Sequence, residues 1–553
     1  MKMKSIMKKI LFVSLLCLFA VTVGAQSLDD ALNYGDKNYY GTARSAALGN
    51  AMTAVGGDLG SIGINPAGAA VAGYSQFTIT PGLSISSTNA SYAPAIGDKV
   101  QTSLPDSHTH FIMPNFGFIM NVDTRRDYGL KNWTFGMTIN TTNFFNERIT
   151  AEGVTDQSSM MGAIANSSYD IPNADLFSGD GYDPYRNGAL YGKWGSILAY
   201  QAFMINQHPF EKDGFYLGSS ESIYEDGSID VLGPINQSYF RQRIGSKSDA
   251  VINLAFNWND RFYFGGNIGI TSLSYTEHLN RYEEARDPAQ YAWYFNPEDE
   301  TEKSYWQNAR DRYTLETNGT GIYAKLGFIW LPVDGLRLGG AIQTPTGFSI
   351  TERCEMDAVC NFTGYNPKPN GDNTPLDEYT YQLTTPFSFN LGAAYTLGNR
   401  ALLSADWERS DFRTMRFGDS DYQSEWSAYN KDVRDYAGVT HHLRLGAEYR
   451  VTDAFALRAG YSFKQYAEKQ PRPYYSERIV QLTHTGSLGF GYSSPGSFFL
   501  DCAVRYAMAP NSWYYPYDSY EIYRSGEWKT VDPPEIGISK RLMDVILTLG
   551  WRF

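Results

Sequence analysis

The closing stretch DVILTLGWRF (Asp544–Phe553) carries the decision about fold class. Val545, Leu547, Leu549, Trp551 and Phe553 fall on one face, and Thr548, Gly550 and Arg552 on the other. That period of two marks a strand with one apolar and one polar side. A soluble β-sandwich and a closed barrel both satisfy it, so the rest of the chain has to separate them.

The same alternation recurs in NWTFGMTIN (Trp133, Phe135, Met137, Ile139), in LRLGGAI (Leu336, Leu338, Ile342), in FALRAGYSF (Phe455–Phe463) and in FFLDCAVRY (Phe498–Tyr506). Counting such segments gives about 14 strands, starting near 76, 108, 132, 249, 261, 314, 336, 384, 400, 441, 454, 480, 497 and 541, the even number that a bacterial barrel requires. The connections are more telling. Short turns (DTRRDYGLK, NWNDR, LPVDG, TLGNR, VTDA and SSPGS) fall after every second strand. The intervening connections are mostly long, the largest over 148–248. Turns on one side and loops on the other is the asymmetry of a transmembrane barrel, and a sandwich has no reason to produce it. The terminal aromatic Phe553, with no tail after it, resembles the signal by which barrel-insertion machinery recognises its clients.

Composition and the N-terminus agree. Lys2, Lys4, Lys8 and Lys9 precede ILFVSLLCLFAVTV and then GAQ, so residues 1–25 read as an export signal cut after Ala25. Cys17 goes with that peptide. The 553-residue chain is 15% aromatic, has 41 Tyr and 52 Gly, and carries a formal charge of −13, which argues against nucleic acid. Mean hydropathy is −0.37, as expected where only alternate residues face lipid. Cys354 and Cys360, in RCEMDAVC between turn-forming residues, are expected to form a local disulfide in an external loop. Cys502 sits in an alternating strand as a small apolar residue.

Between the signal and the first strand lies GTARSAALGNAMTAVGGDLGSIGINPAGAAVAGYSQFTITPGL. It is too rich in glycine for a helix and too apolar for a linker. This segment resembles the N-terminal hatch of the FadL family of outer-membrane transporters for hydrophobic compounds. The resemblance rests on Gly41, Arg44, Gly49 and Asp58, on the box Asn65-Pro66-Ala67, and on the strand from Gln76. The stretches GTGIYAKLGFIWLPVDGLRLGGAIQTPTGFSI and TTPFSFNLGAAYTLGNRALLSADWE are similar to that family's central strands. The resemblance implies a monomeric 14-stranded barrel whose lumen holds a plug over 26–74, in contact with outer-membrane lipid, with the barrel over 75–553. It also implies passive uptake of long-chain fatty acid-like or aromatic compounds and no cofactor. Small residues suit a plug that folds inside a crowded lumen. Asn65 bonds its own backbone while Pro66 fixes the next φ. Arg44, Gly49, Gly63, Asn65, Pro66 and Ala67 are the hatch or gate candidates, with Gly56, Gly57, Gly60 and Gly68 supplying freedom of backbone.

Alternation turns Arg337, Asp406, Glu408, Arg444, Glu448, Arg458, Asp501, Arg505 and Arg552 toward the lumen. Both signs are present, as in a paired network bracing plug and wall. The alternative is that Arg337, Arg444, Arg458 or Arg505 holds a ligand carboxylate. Phe144 and Phe145 either line an apolar groove for incoming ligand or join the interfacial aromatic girdle. His108 and His110 point the same way on a strand, whereas His441 and His442 face opposite sides. No GxSxG occurs with an aligned acid and histidine, so no enzyme and no metal site are expected. The competing function is an envelope barrel that docks or shuttles secreted proteins through its external loops.

Overall fold

The structure is a computed structural model that describes residues 28–93, 102–179, 181–207, 213–224, 227–294, 303–364, 371–398, 400–418, 426–468, 482–524 and 526–553. The expected export signal, 1–25, lies outside them.

Fourteen antiparallel strands close on themselves. They are β1 (Gln76–Ala93), β2 (Thr102–Asp123), β3 (Leu130–Phe144, resuming as Glu147–Thr155), β4 (Ile235–Trp258), β5 (Phe262–Ala285), β6 (Lys303–Val333) and β7 (Leu336–Gln343, resuming as Gly347–Gly364). The circuit continues with β8 (Asp377–Thr384, resuming as Ser388–Leu397), β9 (Ala401–Asp411), β10 (Val439–Arg450), β11 (Phe455–Gln465), β12 (Leu482–Ser493), β13 (Phe498–Met508) and β14 (Glu535–Arg552). Each pairs with its sequence neighbour, and β14 pairs back on β1 from Gln76↔Arg552 to Ala93↔Glu535.

The outward residues form an apolar belt that includes Met120, Leu254, Ile268, Leu326, Leu391, Leu445, Leu488 and Val504, all well exposed. Trp258, Phe262, Trp330, Tyr395, Tyr449, Phe455 and Trp551 ring the barrel beside the short turns, where amphipathic rings mark the membrane interface. Among the described residues no helix is long and apolar enough to span a bilayer; this chain crosses with strands. Closing the sheet pairs the backbone all round, the condition for spanning hydrocarbon.

Several strands run far beyond the belt. On β5 the outward side chains change from Phe264, Ile268 and Ile270 to Ser272, Ser274, Thr276 and His278, so its upper end stands outside the lipid. This corrects the expected loop of 148–248: β3 continues to Thr155 and β4 begins at Ile235. Alternation fades there because neither face of the upper wall meets lipid. The shorter connection folds as a cap over the mouth. Its helices α4 (Met160–Ser167) and α6 (Trp194–Gln201) share one apolar core with wall side chains Tyr92, Tyr239, Trp306 and Ile536 and with Tyr517 and Tyr520 of the β13–β14 connection. The small helix α5 (Asn173–Leu176) lies between them in sequence.

The cysteines require a second correction. Cys354 and Cys360 are free and buried on the upper part of β7. Six residues of strand separate them by about 20 Å, and bridged Cα atoms stand no more than about 7 Å apart. Turn-forming neighbours had suggested a loop, but the strand runs straight through it.

Candidate functional site

The N-terminal segment fills the lumen as a chain of short elements: α1 (Leu28–Gly35), α2 (Ala43–Ala47), α3 (Leu59–Ile62) and a 3-10 turn over Pro66–Val71. Thr42, Asp58 and Asn65 cap the last three with their side chains. Pro66 stands at the first position of its turn, where a missing N–H costs nothing.

Inward-facing wall glycines seat this plug. A Cβ on Gly327 would lie 2.0 Å from Asn65 Oδ1, and one on Gly339 2.2 Å from the Thr53 carbonyl oxygen. On Gly446 it would lie 2.6 Å from the Leu48 carbonyl oxygen, and on Gly460 2.1 Å from Gly49 N. Plug backbone thus touches wall backbone, which only glycine allows. Gly49 itself is held at φ +61, and its own Cβ would meet the Leu445 carbonyl at 2.9 Å. Of the other plug glycines, Gly56 and Gly57 take positive φ, whereas Gly63 does not.

Wall side chains satisfy the plug's carbonyls. Asn253 donates to Pro66 O at 3.0 Å, Asn267 to Ile62 O at 2.8 Å, Lys325 to Gly63 O at 2.6 Å and Arg337 to Val55 O at 2.8 Å. Asn65 uses its whole amide: Oδ1 accepts from Ala67 N at 3.1 Å, and Nδ2 donates to Thr53 O at 2.6 Å and Phe328 O at 2.9 Å.

The lumen charges are paired. Arg44 of the plug bonds Glu448 at 3.0 Å; Arg458 bridges Glu448 at 2.7 Å and Asp501 at 2.5 Å. Arg444, fully buried, reaches Glu408 at 2.7 Å, while Asp406 accepts from Thr53 N and Oγ1 at 2.8 and 2.7 Å. Arg505 lies 3.5 Å from Asp544, donates to Tyr39 O at 3.0 Å and sits 4.4 Å over the Tyr40 ring. Arg552 lies over the Tyr74 and Phe499 rings. Each of the four arginines considered as a carboxylate holder already serves the plug or a wall acid. Phe144 and Phe145 both face inward: Phe144 packs edge-on against Tyr40 at 4.7 Å, and Phe145 against Tyr34 and Tyr275 at 6.5 and 5.3 Å. Their place is the lumen and not the girdle, because a shift of register above Thr141 turns them in.

That shift exposes what the sequence did not reveal. β2 and β3 pair only from Asn115↔Asn140 downward. Above that level the resumed part of β3 leans into the lumen, where Gly153 lies against the Tyr92 ring and Arg148 forms an ion pair with Asp106 at 2.6 Å. At the seam so left, the plug backbone bonds to β3 in place of β2. Asn38 N donates to Thr142 O at 2.6 Å and Tyr40 N to Thr141 O at 3.3 Å. Beside the seam is an apolar cluster in which Leu32 and Tyr34 of α1 pack with Phe145, Tyr275, Phe348, Tyr381, Met415 and Trp426.

The chain is a plugged outer-membrane barrel. Closed strands, a lipid-facing belt and a filled lumen are the architecture of the bacterial outer membrane. No family model and no curated protein matches the chain. Among solved structures it is similar to a Pseudomonas aeruginosa FadL homologue at 13% identity and TM-score 0.47, over 94% of this chain and 100% of that one. It is also similar to the Pseudomonas putida toluene transporter TodX, at 12% identity and TM-score 0.44 over 94% and 99%. The Ralstonia pickettii toluene transporter TbuX is a third, at 13% and 0.40 over 93% and 98%.

Proposed function

We propose that this barrel passes hydrophobic small molecules across the outer membrane without energy input and releases them sideways, through the seam between β2 and β3. The observation that carries the reading is the plug segment Asn38–Tyr40, which bonds to the open edge of β3 where β2 no longer does. A greasy solute gains little from a water-filled channel; each buried CH₂ favours an apolar surrounding by about 0.8 kcal/mol. The aromatic cluster around α1 supplies side chains for that surrounding, and Phe145 of the cluster adjoins the seam. The gate on this reading is Asn38–Tyr40. The Asn65-Pro66-Ala67 box is the anchor, because Asn65 Nδ2 donates to Phe328 O and Pro66 O accepts from Asn253, both on the wall.

The test is uptake into liposomes of a panel from monoaromatic hydrocarbons to a long-chain fatty acid. Replacing Asn38 and Tyr40 by proline deletes both N–H donors and is expected to speed uptake while the barrel stays heat-resistant. Unchanged uptake in the double variant defeats the gate. No uptake of any probe, by either protein, defeats transport. The second reading, docking of secreted proteins, draws on the cap: it covers the mouth and presents Tyr169, Phe177 and Tyr191 to solvent.

A further inference from the structure

The cap is joined to the wall through two buried carboxyl groups. Glu283, on the part of β5 above the lipid belt, accepts from Ser159 Oγ at 2.6 Å, Met160 N at 2.7 Å and Gln237 Nε2 at 2.6 Å. It therefore clamps the first turn of α4 and a neighbouring wall strand at once. Glu221 lies inside the cap. One of its oxygens accepts from Gly218 N at 3.0 Å, and the other rests against Gly162 beside the Tyr520 hydroxyl. Ser220 links the two, donating to Ser159 Oγ at 2.8 Å. Both glutamates are essentially inaccessible to solvent.

We propose that Glu221 and Glu283 form a proton-operated latch, holding the cap over the mouth while they keep a proton between them and releasing it when both are charged.

Burial is the dominant cause that pushes each carboxyl up to about 7, and the charge of Glu283 raises Glu221 further. Arg281, on the same face of β5, offsets part of the burial cost at Glu283 while bonded to Asp311 and to Pro516 O, and among the described residues no cation faces Glu221. Tyr92, Tyr239, Tyr291, Tyr517 and Tyr520 surround the pair as phenols, and burial drives Tyr517 and Tyr520 further from ionising. Glu283 accepts from three donors, whereas Glu221 has Gly218 N and the Tyr520 hydroxyl, so Glu221 is the less well satisfied of the two. The sign follows from linkage. Both groups sit above their ordinary range in the closed state, so the closed cap binds more protons between about pH 4.5 and 7. Closure is complete in acid and is lost as pH rises through 7.

Hydrogen exchange of the full-length protein in detergent tests this. After correction for intrinsic base catalysis, α4 is expected to exchange about tenfold or more faster at pH 8.5 than at pH 5.5, and Glu221→Gln is expected to keep it protected at both. Equal corrected rates at both pH values in the wild type, or a variant that follows the wild type, overturn the latch. If E221Q yields no heat-modifiable barrel, the wild-type infrared spectrum decides. A protonated-carboxyl band present in mild acid and lost in mild alkali supports the latch, and its absence in mild acid refutes it. Because neither readout involves solute uptake, the latch stands or falls apart from the transport reading.

Discussion

Placing one methyl group on the seat of the plug should loosen the plug and leave the barrel whole. A Cβ on Gly460 would stand 2.1 Å from Gly49 N, 2.5 Å from Ser487 Oγ and 2.6 Å from Leu48 C. Two of those three atoms are backbone and cannot rotate away, so Gly460→Ala must push the plug off the wall or strain β11. Overpacking of this kind costs about 1–3 kcal/mol, which is roughly a 5- to 150-fold rise in the population of unseated plug. Gly486 is the control: it pairs with Tyr461 in the neighbouring register position, faces outward, and a Cβ there meets nothing within 4 Å. The assay places Ala46→Cys, at a fully buried position of α2, in a background whose native cysteines are serine, and follows thiol labelling in detergent. G460A should label faster by that factor, G486A at the parent rate, and both should keep the heat-modified gel mobility of an intact barrel. If G460A and G486A label alike, the wall glycines do not seat the plug.

Other outcomes follow from the same contacts. Arg458→Ala leaves Glu448 and Asp501 without their shared cation and should cost about 3–5 kcal/mol in thermal unfolding, as breaking buried pairs does; Arg312→Ala, which unties a solvent-facing pair with Asp357, should cost under about 1 kcal/mol. Asn65→Ala removes the amide that holds Thr53 O and Phe328 O, and should cost about 1–3 kcal/mol of plug stability while barrel insertion continues. Denatured, unreduced protein should titrate with both Cys354 and Cys360 as thiols, and mass spectrometry finding a Cys354–Cys360 bridge in protein taken from cells would contradict the straight course of β7.

How much of this was legible depended on where each residue meets its solvent. FALRAGYSF reads as β11 because one face lies in lipid and the other against the plug, so the two sets of side chains differ in kind. The upper end of β5, TEHLNRYEEA, carries no such contrast, since water and the polar cap joint lie on its two sides; strand starts read from alternation therefore fell 6 to 14 residues late at β2, β4, β6, β8 and β14. The glycine seat was half visible. Gly339 and Gly460 fell on the inward face of their strands, and only the plug's position gives that phase a meaning. The seam was not legible at all, because the bonds from Asn38 and Tyr40 to β3 span about a hundred residues and leave no local pattern. Alternation sets the face on which the wall arginines lie, but their partners in the plug follow only from the fold.

The most direct test of the gate joins the plug to the seam. Asn38 Nδ2 lies 3.3 Å from Asn143 Oδ1, so a cysteine at each position brings two thiols together across the closed seam. The double variant, in a background free of other cysteines, is crosslinked with a short thiol-reactive linker, reconstituted in liposomes and assayed for uptake of a hydrophobic probe that the wild type carries. The account predicts that uptake stops in the crosslinked barrel and returns when the linker is reduced. Uptake at the wild-type rate with the linker intact would show that solute leaves by another route.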